Sequence, residues 1–256
     1  MAVDEAILES NGRGEVLPTL RLYAWEPACI SLGYAQPISD VDQERLQNRG
    51  WELVRRATGG RAILHTDELT YSVTGPQEEP RLAGGVLESY RRLSEALLAA
   101  LQMLGLPAEA LPQPLRPGSN GQPKEPVCFE IPSNYEITVY GKKLVGSAQA
   151  RKKTTVLQHG TLPLYGDIKR ITEVLAFPDE ARRKTVAERL LARATNIETV
   201  LDRMVTWEEA AGMFVRAFTE TLDLKLEPGE LTPTEITRAE ELIKEKYAHP
   251  NWTERI

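Results

Sequence analysis

The chain has 256 residues, 41% of them apolar, which is enough to bury a full core and near the upper size for one α/β domain. Its 31 Lys and Arg against 37 Asp and Glu leave a net charge of −6, which argues against general attraction to nucleic acid or anionic membranes. Two distant cysteines, Cys29 and Cys128, with no C-x-x-C pair and no Cys/His cluster, exclude a disulfide framework, argue against a metal site and point to a reducing compartment. The charged N-terminus lacks the apolar core of a signal peptide, and no uncharged run approaches the ~20 residues of a membrane helix. A cytoplasmic, soluble protein is expected.

Val3, Ala6 and Ile7 fall at helical spacing beside Asp4 and Glu5, so the chain opens on a short amphipathic helix with no strand before it. Leu20, Leu22 and Ala24 alternate with Arg21, Tyr23 and Trp25, and strand character returns at Ile30–Tyr34, which predicts a hairpin or adjacent pair. Val41–Asn48 reads as a helix closed by Gly50 in the left-handed cap position. Trp51–Arg56 reads as a strand broken at Gly59-Gly60, with β character resuming at Ala62–Leu64 and Thr70–Thr74.

Leu87, Tyr90, Leu93, Leu97, Leu98 and Leu101 fit a 3.6-residue period and predict a long helix over 87–104, packed on the sheet. The Pro- and Gly-dense stretch from Leu111 to Pro126 predicts a flexible loop. Tyr135, Ile137 and Val139 alternate before Gly141, and Leu144–Ala150 and Val156–Leu164 complete an antiparallel meander. From Ile168 the pattern is mostly helical, punctuated by Pro228 and Pro233.

Three segments carry residue types suited to chemistry. In Arg55–His65, Gly59 and Gly60 let backbone approach a ligand and the flanking Arg56 and Arg61 suit a carbonyl, phosphate or carboxylate; a plain glycine turn with solvated arginines fits the same residues. In Gly141–Gln149, Lys143 enters a strand whose Gly146, Ser147 and Ala148 leave space for a ligand, while Lys142 suits the turn itself. Cys128 stands where a loop meets a sheet, a place where catalytic groups concentrate, whereas Cys29 suits a small buried hydrophobe.

Together, RRATGGRAILHTDELTYSV, PVCFEIPSNYE, GKKLVGSAQARKK and LQHGTLPL, in that order, resemble the lipoate-protein ligase and lipoyl/octanoyl transferase superfamily, and within it the LipM-type octanoyltransferases. The resemblance covers nearly the whole chain, including the closing KYAHPNWTERI. It implies an α/β (α+β) fold of mixed, largely antiparallel sheets flanked by helices, the biotin/lipoyl protein ligase catalytic-domain fold related to class II aminoacyl-tRNA synthetases. One such domain over 1–256 is expected, mostly helical from about 168, without the small accessory C-terminal domain of typical lipoate ligases.

The resemblance further implies an acyltransferase that moves octanoyl from an acyl carrier protein, through a thioester on Cys128, to a lysine of a lipoyl-carrier domain, the glycine-cleavage H protein or an E2 subunit. Lys143 matches the family lysine that lowers the cysteine's pKa. Arg56, Gly59, Gly60, Arg61, His65, Gly146, Ser147, Ala148 and His159 match substrate-binding positions, with a structural part for His65 and His159 equally open. No cofactor, no metal, no nucleic-acid or membrane partner and a monomer are expected. The clusters Arg55-Arg56-Arg61 and Arg151-Lys152-Lys153 suit steering of acidic carriers, or are ordinary solvated charges. An ATP-dependent lipoate ligase with a separate accessory subunit, and a non-catalytic carrier-binding protein, are the competing readings.

Overall fold

A computed structural model describes residues 1–112 and 135–256. Among the described residues, nine strands form two sheets. Six of them, β1 (Thr19–Tyr23), β5 (Glu68–Pro76), β6 (Ala108–Pro112), β7 (Tyr135–Val139), β8 (Lys142–Lys152) and β9 (Thr155–Pro163), form an antiparallel sheet in the order β1-β5-β9-β8-β7-β6. The others, β2 (Cys29–Leu32), β3 (Glu52–Arg55) and β4 (Ile63–His65), form a smaller sheet in which β2 runs parallel to β3 and antiparallel to β4.

The alternation that marks strands also sorts the large sheet's two faces. Leu69 and Tyr71 of β5, Ile137 and Val139 of β7 and Leu162 of β9 join one core. That core is closed by Leu93, Leu97 and Leu101 of α3 (Val86–Met103) and by Phe214 and Phe218 of α6 (Trp207–Leu222). The long helix thus lies where its periodicity puts it, but Leu87 in its first turn stays half exposed. The smaller sheet packs Ile30 and Leu32 of β2 against α2 (Gln43–Asn48) and α4 (Glu180–Arg193). Asp42 caps α2, and Gly50 takes the left-handed conformation expected of it, with φ of 65°.

The opening helix α1 (Ala2–Arg13) is longer than its apolar spacing suggests and lies against β5, β9 and α7 (Pro233–Leu242). Its Asp4 and Glu5 face inward. Asp4 accepts from Arg21, Tyr23 and Ser72, each at 2.8–2.9 Å. Burial alone would raise the Glu5 carboxyl, but hydrogen bonds from Lys152, Lys246 and Tyr247 pull it down to about 2.

Two expectations are corrected. The strands β1 and β2 do not form a pair; the first is an edge strand of the large sheet on β5, and the second is the centre of the small sheet. Their patterns differ for that reason, since β2 is buried on both faces and β1 only partly covered. The strand β6 falls in a Pro/Ala/Glu-containing stretch that did not signal one, as its edge position tolerates. The β7-β8-β9 meander and the helical stretch beyond 168 are as expected, including α5 (Ile197–Leu201), Pro233 at the first turn of α7 and a short closing helix α8 (Pro250–Thr253). No helix among the described residues is long and apolar enough to cross a membrane.

Candidate active site

The face of the large sheet opposite α3 and α6 looks across a cavity of about 1050 Å³ to the small sheet and the loop joining β3 to β4. The register defines its floor. Thr70 stands opposite Thr161, which stands opposite Gly146; Ser72 stands opposite His159, which stands opposite Ala148. These side chains share one face, so the floor is made of small and hydroxylated groups with a histidine among them. The far wall is Ser31, Arg56, Gly59, Gly60, Arg61, Ile63 and His65.

That far wall is held from within. Arg56 is buried and donates to the carbonyls of Ser31, Gly59 and Arg61 at 2.8–2.9 Å, and to Ser31 Oγ at 3.1 Å, fixing the curvature of the glycine loop. Arg55, fully buried, donates to the carbonyls of Gly33 and Gln36 and of Trp252 and Thr253 near the C-terminus. Neither arginine is a surface charge, which corrects both the steering and the solvated-charge readings for Arg55 and Arg56. Lys152 of the second cluster pairs with Glu5, and Arg151 donates to Gln149, Ser89 and the carbonyls of Leu82 and Gly85. Arg61 lines the cavity beside Asp40, 3.6 Å away. Gly60 has a φ of 101°, and its carbonyl sits where a Cβ on Gly33 would be, 2.0 Å from it, so glycine is required at both points of this close approach.

The two histidines occupy different networks. Nε2 of His159 lies 2.6 Å from Thr58 Oγ1, a bond that ties the floor to the glycine loop. Burial, with the Arg56 charge adding to it, pushes His159 down to about 3, so it is neutral at physiological pH. His65 Nδ1 lies 2.6 Å from Glu68 Oε1 and Nε2 lies 2.8 Å from the Ser31 hydroxyl; a carboxylate only accepts, so Nδ1 carries a proton. Trp25 stacks on the His65 ring at 4.3 Å between centroids.

On β8 the geometry turns on one irregularity. Ile137 pairs with Val145 but Thr138 pairs with Lys143, so Leu144 is an extra residue, a β-bulge. Leu144 and Val145 both enter the core, and the side-chain alternation changes phase there. Lys143 is thereby turned onto the cavity face with Gly146 and Ala148, where strict alternation would have put it on the other side. It is 5% exposed, and Nζ donates to Glu136 Oε1 at 2.9 Å. The β7–β8 turn uses positive φ at Tyr140 (51°) and Gly141 (73°). Lys142 at the turn reaches the Leu191 carbonyl at 2.8 Å.

The structure therefore brings Arg56, Gly59, Gly60, Arg61, His65, Lys143, Gly146, Ser147, Ala148 and His159 to one cavity. Within it, Ser147 spends its hydroxyl on Tyr71 at 2.6 Å, and Tyr71 also accepts from Gln158. Cys128 lies outside the described residues, as does most of the Leu111–Pro126 loop. Cys29 is the buried small hydrophobe expected of it, and burial, with Glu52 adding to it, pushes its thiol up to about 12. Sequence reasoning missed Thr58, Glu68 and Glu136. Glu136 carried no signal, because a charge alternating with Ile137 reads as the solvent face of a strand, and only tertiary packing buries it beside Lys143. Among the described residues no group of three or more His, Cys, Asp or Glu side chains converges as a metal set.

Residues 1–219 match the family model of the lipoyl protein ligase A/B catalytic domain. The whole chain aligns with the octanoyltransferase LipM of Brevibacillus brevis at 41% identity, covering 94% of that protein, and with that of Moorella thermoacetica at 44%, covering 93%. Among solved structures, that of the archaeal lipoylation system of Thermoplasma acidophilum, a bi-partite lipoate protein ligase and its E2 lipoyl domain, superposes with a TM-score of 0.79 at 27% identity, over 99% of this chain and 89% of that one. A lipoate-protein ligase A crystal structure bound with ATP gives 0.76 at 28% identity, over 99% and 92%. The two-sheet scaffold, the cavity between its sheets and this match over most of the sequence together place the chain in the lipoyl protein ligase A/B catalytic-domain family.

Proposed function

We propose that the chain is an octanoyltransferase of lipoate biosynthesis, moving an octanoyl group from an acyl carrier protein to a thioester on Cys128 and then to the lysine of a lipoyl-carrier domain, of a glycine-cleavage H protein or an E2 subunit. The observation that carries the reading is similarity to LipM octanoyltransferases at 41–44% identity along the whole chain. The cavity is consistent with it, since Lys143 stands on a wall of small residues roomy enough for an acyl chain and its carrier arm.

A free thiol with a pKa of about 8.5 is only a few per cent thiolate at neutral pH, so a nucleophilic cysteine gains from a nearby ammonium. Lys143 is assigned that part. Exchange of one thioester for another is close to thermoneutral and needs neither ATP nor a cofactor. The second step forms a C–N bond to the carrier lysine and breaks the C–S bond, giving an amide more stable than the thioester. Two sequential encounters replace a three-protein complex, the ping-pong logic of covalent catalysis. The oxyanion takes its donors from the Lys143 ammonium or from N–H groups at Gly59-Gly60. His159, neutral and bonded to Thr58, holds the glycine loop rather than moving a proton. The protein acts as a monomer in the cytoplasm.

The solved relatives favour one other reading, an ATP-dependent ligase that activates free acid at the same cavity with a separate accessory subunit. Intact-mass spectrometry after mixing with octanoyl-acyl carrier protein, without ATP, separates the two. The transferase gains an octanoyl mass that hydroxylamine removes and Cys128→Ala lacks. No adduct, together with adenylate formation from octanoate and ATP, would make it a ligase.

A further inference from the structure

Lys143 is the cation the transfer reading uses, and its side chain is almost entirely buried. A buried lysine sheds its proton unless an opposite charge lies within hydrogen-bond reach. Glu136 supplies one. On β7, Glu136 and Thr138 alternate with the core-facing Ile137 and Val139, and Thr138 is the cross-strand partner of Lys143. The bulge at Leu144 therefore puts Lys143 and Glu136 on the same face, with Nζ 2.9 Å from Oε1. Both side chains are at least nine-tenths buried. The Lys143 backbone is fixed as well, its carbonyl accepting from Thr195 N at 3.0 Å.

Other titratable groups near this position are Arg193, just before the connector that carries Thr195, and Met1, Asp40, Arg56, Arg61, His65, Arg151 and the neutral His159 around the cavity. Asp40, the anion in this set, is engaged by Arg61 at 3.6 Å and by Gln36 at 2.9 Å. Glu136 is a carboxylate within hydrogen-bond reach of the Lys143 ammonium. We propose that Glu136 is a positioning residue that holds Lys143 as a fixed ammonium on the cavity wall, a role that rests on the part given to Lys143 above.

The test follows Lys143 and the reaction separately. In protein labelled with 13C-lysine, the Lys143 Cε signal, assigned by its loss in Lys143→Met, is titrated by NMR in wild type, Glu136→Gln and Glu136→Asp. Glu136→Gln should lose the ammonium at a lower pH than wild type, and its transfer of octanoyl to a lipoyl domain should fall about tenfold or more at neutral pH. Its transfer rate relative to wild type should recover towards lower pH as the lysine recharges, which a merely structural defect would not do. Glu136→Asp should restore both. An unchanged Lys143 titration in a folded Glu136→Gln protein overturns the proposal. Transfer at the wild-type rate by Lys143→Met would instead sink the part given to Lys143, whatever the titration shows.

Discussion

The two walls of the cavity are built on opposite plans. On the small-sheet side, Ser31, Arg56 and His65 are bound to one another or to backbone carbonyls, and their polarity is spent on the shape of the glycine loop. On the large-sheet side, β8 presents Gly146 and Ala148, which bring no polar group, and a lysine turned inward by a bulge. An arginine-rich motif that reads as a ligand clamp is thus mainly a frame, and the lysine among small residues is the group to which the proposed transfer assigns the chemistry.

The comparison breaks first at its tightest point. Gly33→Ala puts a Cβ 2.0 Å from the Gly60 carbonyl oxygen, backbone that has no soft way to yield. A loss of about 3 kcal/mol in urea unfolding is expected, with transfer lost alongside. A variant as stable as wild type would show that the loop is not packed on β2. Next comes Arg56→Met, which removes donors from the Ser31, Gly59 and Arg61 carbonyls and should cost about 2 kcal/mol. Its KM for the acyl donor should rise more than its kcat falls; the reverse would put Arg56 in the chemistry.

His159 sharpens the comparison through pH. Its folded-state value is about 3 against 6.5 for an ordinary histidine, so below 6.5 the unfolded chain binds the extra proton. The stability it contributes is complete above 6.5 and is lost as pH falls towards 3. His159→Gln should flatten the stability profile between 6.5 and 4.5, above the window in which Glu5 titrates. Parallel profiles from urea midpoints would contradict the buried, neutral histidine. The smallest effect is expected from Ser147→Ala, about 1 kcal/mol for the lost bond to Tyr71, read as a small fall in Tm.

Much of this architecture was legible in the sequence where one local rule decides the outcome. The 3.6-residue period placed α3, Gly50 closed α2, and alternation with a turn at Gly141 drew the β7-β8-β9 meander. Choices made by tertiary context were not legible. Alternation marks β1 and β2 as strands but cannot say that they belong to different sheets. Asp4 and Glu5 look like the wet face of a helix, and only the arrival of Arg21, Ser72, Lys246 and Tyr247 from distant segments makes them interior. Within the site, the motif residues among those described converge on one cavity, yet the side of β8 on which Lys143 lies depends on a bulge that no periodicity announces. Arg55 and Arg56 read as surface charge because the carbonyls that absorb them belong to backbone, which residue types do not reveal.

The most direct measurement is octanoyl transfer from octanoyl-acyl carrier protein to a lipoyl domain, without ATP, by wild type and by Lys143→Met, with folding checked by circular dichroism. Wild type should octanoylate the domain lysine, and the variant should be slower by about a hundredfold or more. A folded Lys143→Met that transfers at the wild-type rate would contradict the assignment of the chemistry to the β8 wall.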